Sequence, residues 1–287
     1  MKMGKIKMKK FIPLDKSSII GMGLLDIING YKDIETFLGQ QKILSEDLLA
    51  LKRASELWRT NEPIDVGESG TLYRLLQFAS WKLGLNKKFI IRGTLKNKKI
   101  TDDPGIVNLP LEELLKLDNG TSQWATATKL LGNKETVSNP PYKLKITYEA
   151  IRHWKKRRKE GLSWEPRQDE MILKQAETFL SLLRKENAKF IAEQAEDYCF
   201  ARAFNFISQE EGLKRWPSLQ SHESNRILEM ENALNVAQKG EEIISKDHRV
   251  IQAIVMWGIV NNSAVKIKHP EAVNKSWPEF WEFISEI

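Results

Sequence analysis

The chain has 287 residues, 41% of them hydrophobic and 29% charged, with a net charge of +7. That length favours two domains of about 130 to 150 residues each, and no apolar run approaches the roughly 20 residues that a membrane span needs. A membrane protein is excluded on this reading, while the positive balance admits nucleic acid, acidic lipid or anionic metabolites as partners.

The opening MKMGKIKMKKFIPLDK has lysines but no apolar core of the kind a secretory signal uses, and Ile6 to Ile12 reads as a first strand. A turn through Lys16-Ser17-Ser18 leads into a helix over Ile19 to Ile28. Ser45 is placed to cap a helix over Leu48 to Trp58, whose Leu48, Leu49, Leu51, Ala54, Leu57 and Trp58 make a buried stripe. Next come a strand at Ile64-Asp65-Val66, the loop Gly67-Glu68-Ser69-Gly70, a helix over Thr71 to Leu83 and a strand at Phe89 to Gly93. A short helix is expected over Leu111 to Leu117, another entered through Gly120-Thr121-Ser122-Gln123 and running to Leu131, a strand over Lys143 to Thr147 and a helix over Tyr148 to Lys159. The loop 161–166 is the best domain junction. Beyond it, helices are expected over Met171 to Lys185, Tyr198 to Ser208, Arg226 to Lys239, Arg249 to Val260 and Pro278 to Ile287, with a strand at Ala264 to Ile267. A strand, turn, helix unit recurs in both halves, although no fixed sequence period is visible.

Cys199 is the lone cysteine. It has no partner for a disulfide or a thiolate zinc site, which fits a reducing cytoplasm. The basic run Lys155 to Lys159 is a single block without interleaved aromatics, so it reads as a solvated helix end before it reads as a nucleic-acid surface.

Hydroxyl- and glycine-bearing loops ahead of helices can cradle anions, because the first backbone N–H groups of a helix are unpaired and carry partial positive charge. Gly67-Glu68-Ser69-Gly70-Thr71 with Arg74, and Gly120-Thr121-Ser122-Gln123, are such loops, although each alone is more often a simple cap. His222-Glu223-Ser224-Asn225-Arg226 sets a carboxylate and a guanidinium three residues apart, which alone could be a surface ion pair. Asp247-His248-Arg249 is harder to explain as structure. Cationic side chains at a helix start oppose the macrodipole, so a bound anion would compensate them, and Lys275 beside Trp277 could complete that cluster.

In chain order these motifs resemble the enolpyruvyl transferases, and within them the 5-enolpyruvylshikimate-3-phosphate synthase family, of which this chain looks like a shortened, divergent member. That family shows Ser-Lys-Ser, G-x-x-G-T-x-x-R, Ser-Ser-Gln, Pro-Tyr, Lys-Glu-Thr-Asp-Arg, Asp-His-Arg and Lys-Thr-Phe-Pro in sequence. The resemblance implies an α+β, two-domain fold of repeated βαβ-type units, some of them trimmed, with the active site in the interdomain cleft. Residues 17–150 would form the acceptor side, and 1–16 plus 151–287 the phosphoenolpyruvate and catalytic side.

The resemblance also assigns roles. Asp197, Glu223 and Lys16 would be catalytic, with Glu193 or Glu196 as alternatives to Asp197. Gly70, Arg74, Arg226, His248, Arg249 and Lys275 would bind phosphoenolpyruvate, with Thr71 in the same loop. Ser17, Thr121, Ser122, Gln123 and Tyr142 would bind the acceptor. It implies a monomeric cytoplasmic transferase of the shikimate pathway, in aromatic amino acid biosynthesis, without metal or other cofactor, acting on phosphoenolpyruvate and a phosphorylated hydroxy acid.

Several positions depart from the family pattern. No arginine follows Lys16-Ser17-Ser18, His222 and Asn225 replace the motif lysine and aspartate, Asn139 replaces the serine before Pro141-Tyr142, and Lys96, Lys98 and Lys99 stand where an arginine is expected. These departures bear on the acceptor more than on phosphoenolpyruvate. They keep open a non-catalytic or altered-acceptor anion-binding protein.

Overall fold

The computed structural model describes residues 8–118, 121–165, 167–220 and 224–287. It divides into two compact units, Leu14–Arg167 and Gln168–Ile287, the latter together with the residues up to Pro13. The described residues are mostly helical, with four short strands in two parallel pairs.

The first unit begins with α1 (Lys16–Asn29), opened by the Asp15 carboxylate, which accepts from Ser18 N at 3.2 Å, and closed by Gly30 in the left-handed conformation. Helices α2 (Asp33–Gly39) and α3 (Glu46–Leu57) follow. The strand β1 (Ile64–Gly67), helix α4 (Gly70–Lys82) and strand β2 (Phe89–Ile91) make a parallel crossover, with Ile64 opposite Phe89. Helices α5 (Leu111–Leu117), α6 (Gln123–Leu130) and α7 (Tyr142–Glu160) complete the unit, α1 packing on α7 and α4 on α6. The core gathers Leu24, Ile34, Leu51, Ile64, Leu72 and Phe78.

The strand expected over Lys143 to Thr147 is instead the first turns of α7. Leu144, Thr147 and Ala150 are buried at a spacing of three, which a helix satisfies and a strand does not. The basic run at the end of α7 is a solvated helix end at Lys155, Lys156 and Lys159, which are exposed, but not at its two arginines. Arg157 is buried over the Trp164 ring, and Arg158 pairs with Asp26 at 2.6 Å and with Asp33 while lying over Tyr31.

Asp26 is fully buried, and its carboxylate accepts from Ile34 N (3.1 Å), Trp154 Nε1 (2.7 Å), Trp164 Nε1 (3.0 Å) and Arg158 (2.6 Å). Four donors on one carboxylate satisfy its lone pairs and make its burial tolerable. It ties α1 to α2, to α7 and to the loop after α7.

In the second unit, α8 (Glu170–Leu183) starts from Asp169, which accepts from Ile172 N at 3.0 Å. The 3-10 turn Ala195–Asp197 runs into α9 (Tyr198–Ala203). The helix expected to reach Ser208 stops at Ala203, because Asn205 turns the chain with φ +58° and Ser208 caps α10 (Gln209–Arg215) by accepting from Glu211 N at 3.0 Å. Then come α11 (Arg226–Gln238), β3 (Glu242–Ile243), α12 (His248–Val260), β4 (Lys266–Ile267), the 3-10 turn Pro270–Lys275 and α13 (Phe280–Ser285). Strands β3 and β4 are parallel, so β3-α12-β4 is a second crossover.

Helix α12 is apolar nearly all round and forms the centre of this unit, with α8, α9, α11 and the 3-10 turn against it. The part of the expected first strand that is described, Met8 to Ile12, forms turns instead, Phe11 N donating to Met8 O and Ile12 N to Lys9 O. Met8, Phe11 and Ile12 are buried at spacings of three and four, and the Trp277 indole donates to Phe11 O at 2.6 Å. Among the described residues, no helix is long and apolar enough to cross a membrane.

Candidate functional site

The chemistry of the second unit concentrates where α11 and α12 begin. Asp247 caps α12, Oδ1 accepting from Arg249 N at 2.9 Å, while Oδ2 accepts from Arg226 Nε at 2.8 Å and from the Ser224 hydroxyl at 3.1 Å. The Asp247 backbone N–H in turn donates to Ser245 Oγ, whose hydroxyl pairs with Glu229. Arg226 and Asp247 are both buried, so their ion pair is shielded from solvent and holds the two helix starts together. Asp247 thus has a structural task that its place in the motif did not reveal.

Arg249 is the unusual member. It is 4% exposed, its Nε and Nη1 are sealed from solvent, and neither meets a protein acceptor. Among the described residues no carboxylate forms an ion pair with it. A guanidinium buried in this state is costly, and an anion is the group that would offset the cost. His248 is buried beside it at the start of α12, and Lys275 stands half-buried at the end of the 3-10 turn that packs on the same helix.

Asp197 is 2% exposed and accepts from Gln175 Nε2 and Glu193 N at 3.0 Å and from Gln194 N at 3.3 Å. Burial pushes its carboxyl up, against the lowering effect of these donors and of the Arg249 charge. Glu193, one of its alternatives, is exposed and lies 3.7 Å from Lys174. Cys199, wholly buried near the Arg226, Asp247 and Arg249 charges, has its thiol pushed up by burial. It is therefore held as an inert thiol rather than a nucleophile. Glu223 and His222 lie outside the described residues.

In the first unit the structure brings together residues that the sequence holds far apart. Arg74 Nη1 donates to Gln123 Oε1 at 2.8 Å and to Gly70 O at 3.1 Å, and Gln123 Nε2 donates to Thr71 Oγ1 at 2.9 Å. A Cβ on Gly70 would sit 3.1 Å from Arg74 Nη1, so glycine leaves room for this guanidinium. Lys16, in the first turn of α1, pairs with Asp47 at 2.5 Å, and Ser17 is half-buried next to it. Tyr142 is exposed at the start of α7.

The helix-start cradles are partly filled by the protein itself. At α6 the Asp118 carboxylate accepts from Trp124 N at 2.7 Å and Ala125 N at 2.9 Å, and Thr121 turns its hydroxyl to Asp118 O at 2.8 Å. Ser122 is buried in the left-handed conformation, φ 57°. Gly120 lies outside the described residues. Burial pushes the Asp118 carboxyl up to about 6 even though the helix amides favour its charged form. At α4 the first-turn amide of Leu72 goes to Ser69 Oγ. Of the 121–123 motif, Gln123 is thus the residue that joins Arg74, and the Thr121 hydroxyl serves the turn. Asp118 was not singled out in the sequence because its partners lie six and seven residues on.

Residues 219–284 match the family model for EPSP synthase (3-phosphoshikimate 1-carboxyvinyltransferase). A 3-phosphoshikimate 1-carboxyvinyltransferase of Aquifex aeolicus (strain VF5) is 48% identical over 42 residues, 15% of this chain and 10% of the relative. The match therefore spans about a tenth of that relative's length. No solved structure matches the chain. The segment similar to EPSP synthase is the one that carries Arg226, Asp247, His248, Arg249 and Lys275.

Proposed function

We propose that the protein transfers the enolpyruvyl group of phosphoenolpyruvate to a hydroxyl of a phosphorylated hydroxy acid, with shikimate 3-phosphate as the acceptor. The observation that carries this reading is Arg249, a buried guanidinium with two nitrogens, Nε and Nη1, lacking protein acceptors, inside the segment similar to EPSP synthase. In the proposed reaction the acceptor oxygen bonds to C2 of phosphoenolpyruvate as C3 takes a proton. The tetrahedral adduct then loses phosphate from C2 and a proton from C3, leaving an enolpyruvyl ether.

Arg226, His248, Arg249 and Lys275 would bind the phosphate and carboxylate and stabilise charge in the adduct, the interaction that usually contributes most. Asp197 would take the acceptor proton, since a carboxyl raised by burial is a stronger base than an exposed one, with Glu223 as the acid and Lys16 sharing proton transfer. Gly70 and Arg74 would also contact phosphoenolpyruvate, and Ser17, Thr121, Ser122, Gln123 and Tyr142 the acceptor. The domain roles would be an acceptor side over 17–150 and a phosphoenolpyruvate side over 1–16 plus 151–287.

A second reading, an anion-binding homologue without turnover, is favoured by one observation: all three donors around Asp197 are internal, and the carboxylate is closed off from solvent. Incubation with phosphoenolpyruvate and shikimate 3-phosphate separates the two. Acceptor-dependent release of phosphate, lost in Arg249→Ala and Glu223→Gln, is expected of the transferase. Phosphoenolpyruvate binding without release would identify the binding protein, and absence of both would sink each reading.

A further inference from the structure

We infer that Gln252 and Ser276 are positioning residues for Lys275, an inference that rests on the anion-site reading of Arg249. Gln252 follows Arg249 by three residues on α12, so the two project from one face of the helix. It is buried among the apolar side chains of that helix, where a primary amide is out of place unless it makes a specific bond. Its Nε2 donates to Ser276 Oγ at 3.1 Å, and Ser276 is itself buried. Its Oε1 has no partner, so one orphaned acceptor is tolerated for the sake of the link.

Ser276 directly follows Lys275 and closes the 3-10 turn, its N–H donating to Val273 O at 3.1 Å. The next residue, Trp277, is fully buried and hydrogen-bonded to Phe11 O. The backbone at Lys275 is therefore held by α12 through Gln252 and Ser276, and by the core through Trp277. A lysine side chain loses much rotamer freedom when it closes on a ligand. Fixing its backbone beforehand lowers that cost and keeps Lys275 against the helix that carries Arg249.

The test compares wild type with Gln252→Leu, Ser276→Ala and Ser276→Thr, by acetic anhydride labelling of lysines read by mass spectrometry and by calorimetric titration with phosphoenolpyruvate. Labelling of Lys275 is expected to rise several-fold in Gln252→Leu and Ser276→Ala, with Lys266 and Lys268 unchanged, and to stay near wild type in Ser276→Thr, which keeps the hydroxyl. Phosphoenolpyruvate affinity should fall about tenfold in the first two variants. Unchanged Lys275 labelling in both would overturn the inference. A labelling change in a protein that binds no phosphoenolpyruvate would uphold the positioning link and overturn the anion-site reading instead.

Discussion

Arg249 separates stability from function at the level of one side chain. Its Nε and Nη1 reach no protein acceptor, so Arg249→Met should remove a burial cost while filling similar volume. The expected outcome is a variant as stable as wild type or more stable, by about 1 to 4 kcal/mol, that no longer binds phosphoenolpyruvate. Chemical denaturation with and without the ligand checks this: wild type alone should gain stability from phosphoenolpyruvate. A marked loss of stability in the ligand-free variant would mean that the guanidinium has an internal partner. Asp247 is the opposite case, since both its oxygens are used by the fold. Its replacement would damage the starts of α11 and α12 and says little about ligand contact.

At the scale of elements, two buried carboxylates organise the first unit. Asp118 caps α6 with a folded-state carboxyl pushed up to about 6 from 3.8. The fold therefore favours the protonated form, so this group's contribution is complete below about pH 4 and is lost as pH rises through 6. A shift of that size corresponds to roughly 3 kcal/mol at most. Asp118→Asn should flatten the stability profile between pH 4 and 6, as measured by thermal unfolding against pH. A variant with the same slope as wild type would place the titration elsewhere. Asp26 joins α1, α2 and α7 through four donors, and Asp26→Ala would leave two indole N–H groups and part of Arg158 unpaired. A cost of about 3 kcal/mol or more is expected in urea unfolding.

For the whole molecule, the chain's beginning belongs to the core of its last part. Phe11 and Phe179 both pack on Phe283, and Phe11 O takes the Trp277 indole N–H. A piece cut as 168–287 should consequently fail to unfold cooperatively, whereas one in which residues 1–13 are joined to it through a flexible linker should do so. Within the intact protein, Phe11→Ala is expected to cost about 3 to 5 kcal/mol and to shift Trp277 emission toward that of a solvated indole. Cooperative unfolding of 168–287 alone, equal to that of the linked piece, would show that the terminal segment is dispensable.

Local chemistry made much of this protein legible in its sequence. Helices α4, α11 and α12 begin within a residue of the starts expected at Thr71, Arg226 and Arg249, and β1, β2 and β4 lie where short apolar runs read as strands, whereas β3 was not foreseen and Ser45, expected to cap α3, makes no side-chain cap bond. Each of these depends on neighbours within a turn or two. Lys143 to Thr147 misled because five residues fit a period of two as well as they fit the first turn of a longer helix, and only burial against other helices distinguishes them.

Tertiary structure alone decided that Arg157 and Arg158 turn inward, that Asp118 occupies amides an anion could have used, and that Gln123 meets Arg74. It alone decided that Arg249 is sealed without a protein acceptor while Asp247 is fully engaged. The physical reason is common to all of these: the cost of a buried charge depends on which groups fold up against it, and those partners come from distant parts of the chain.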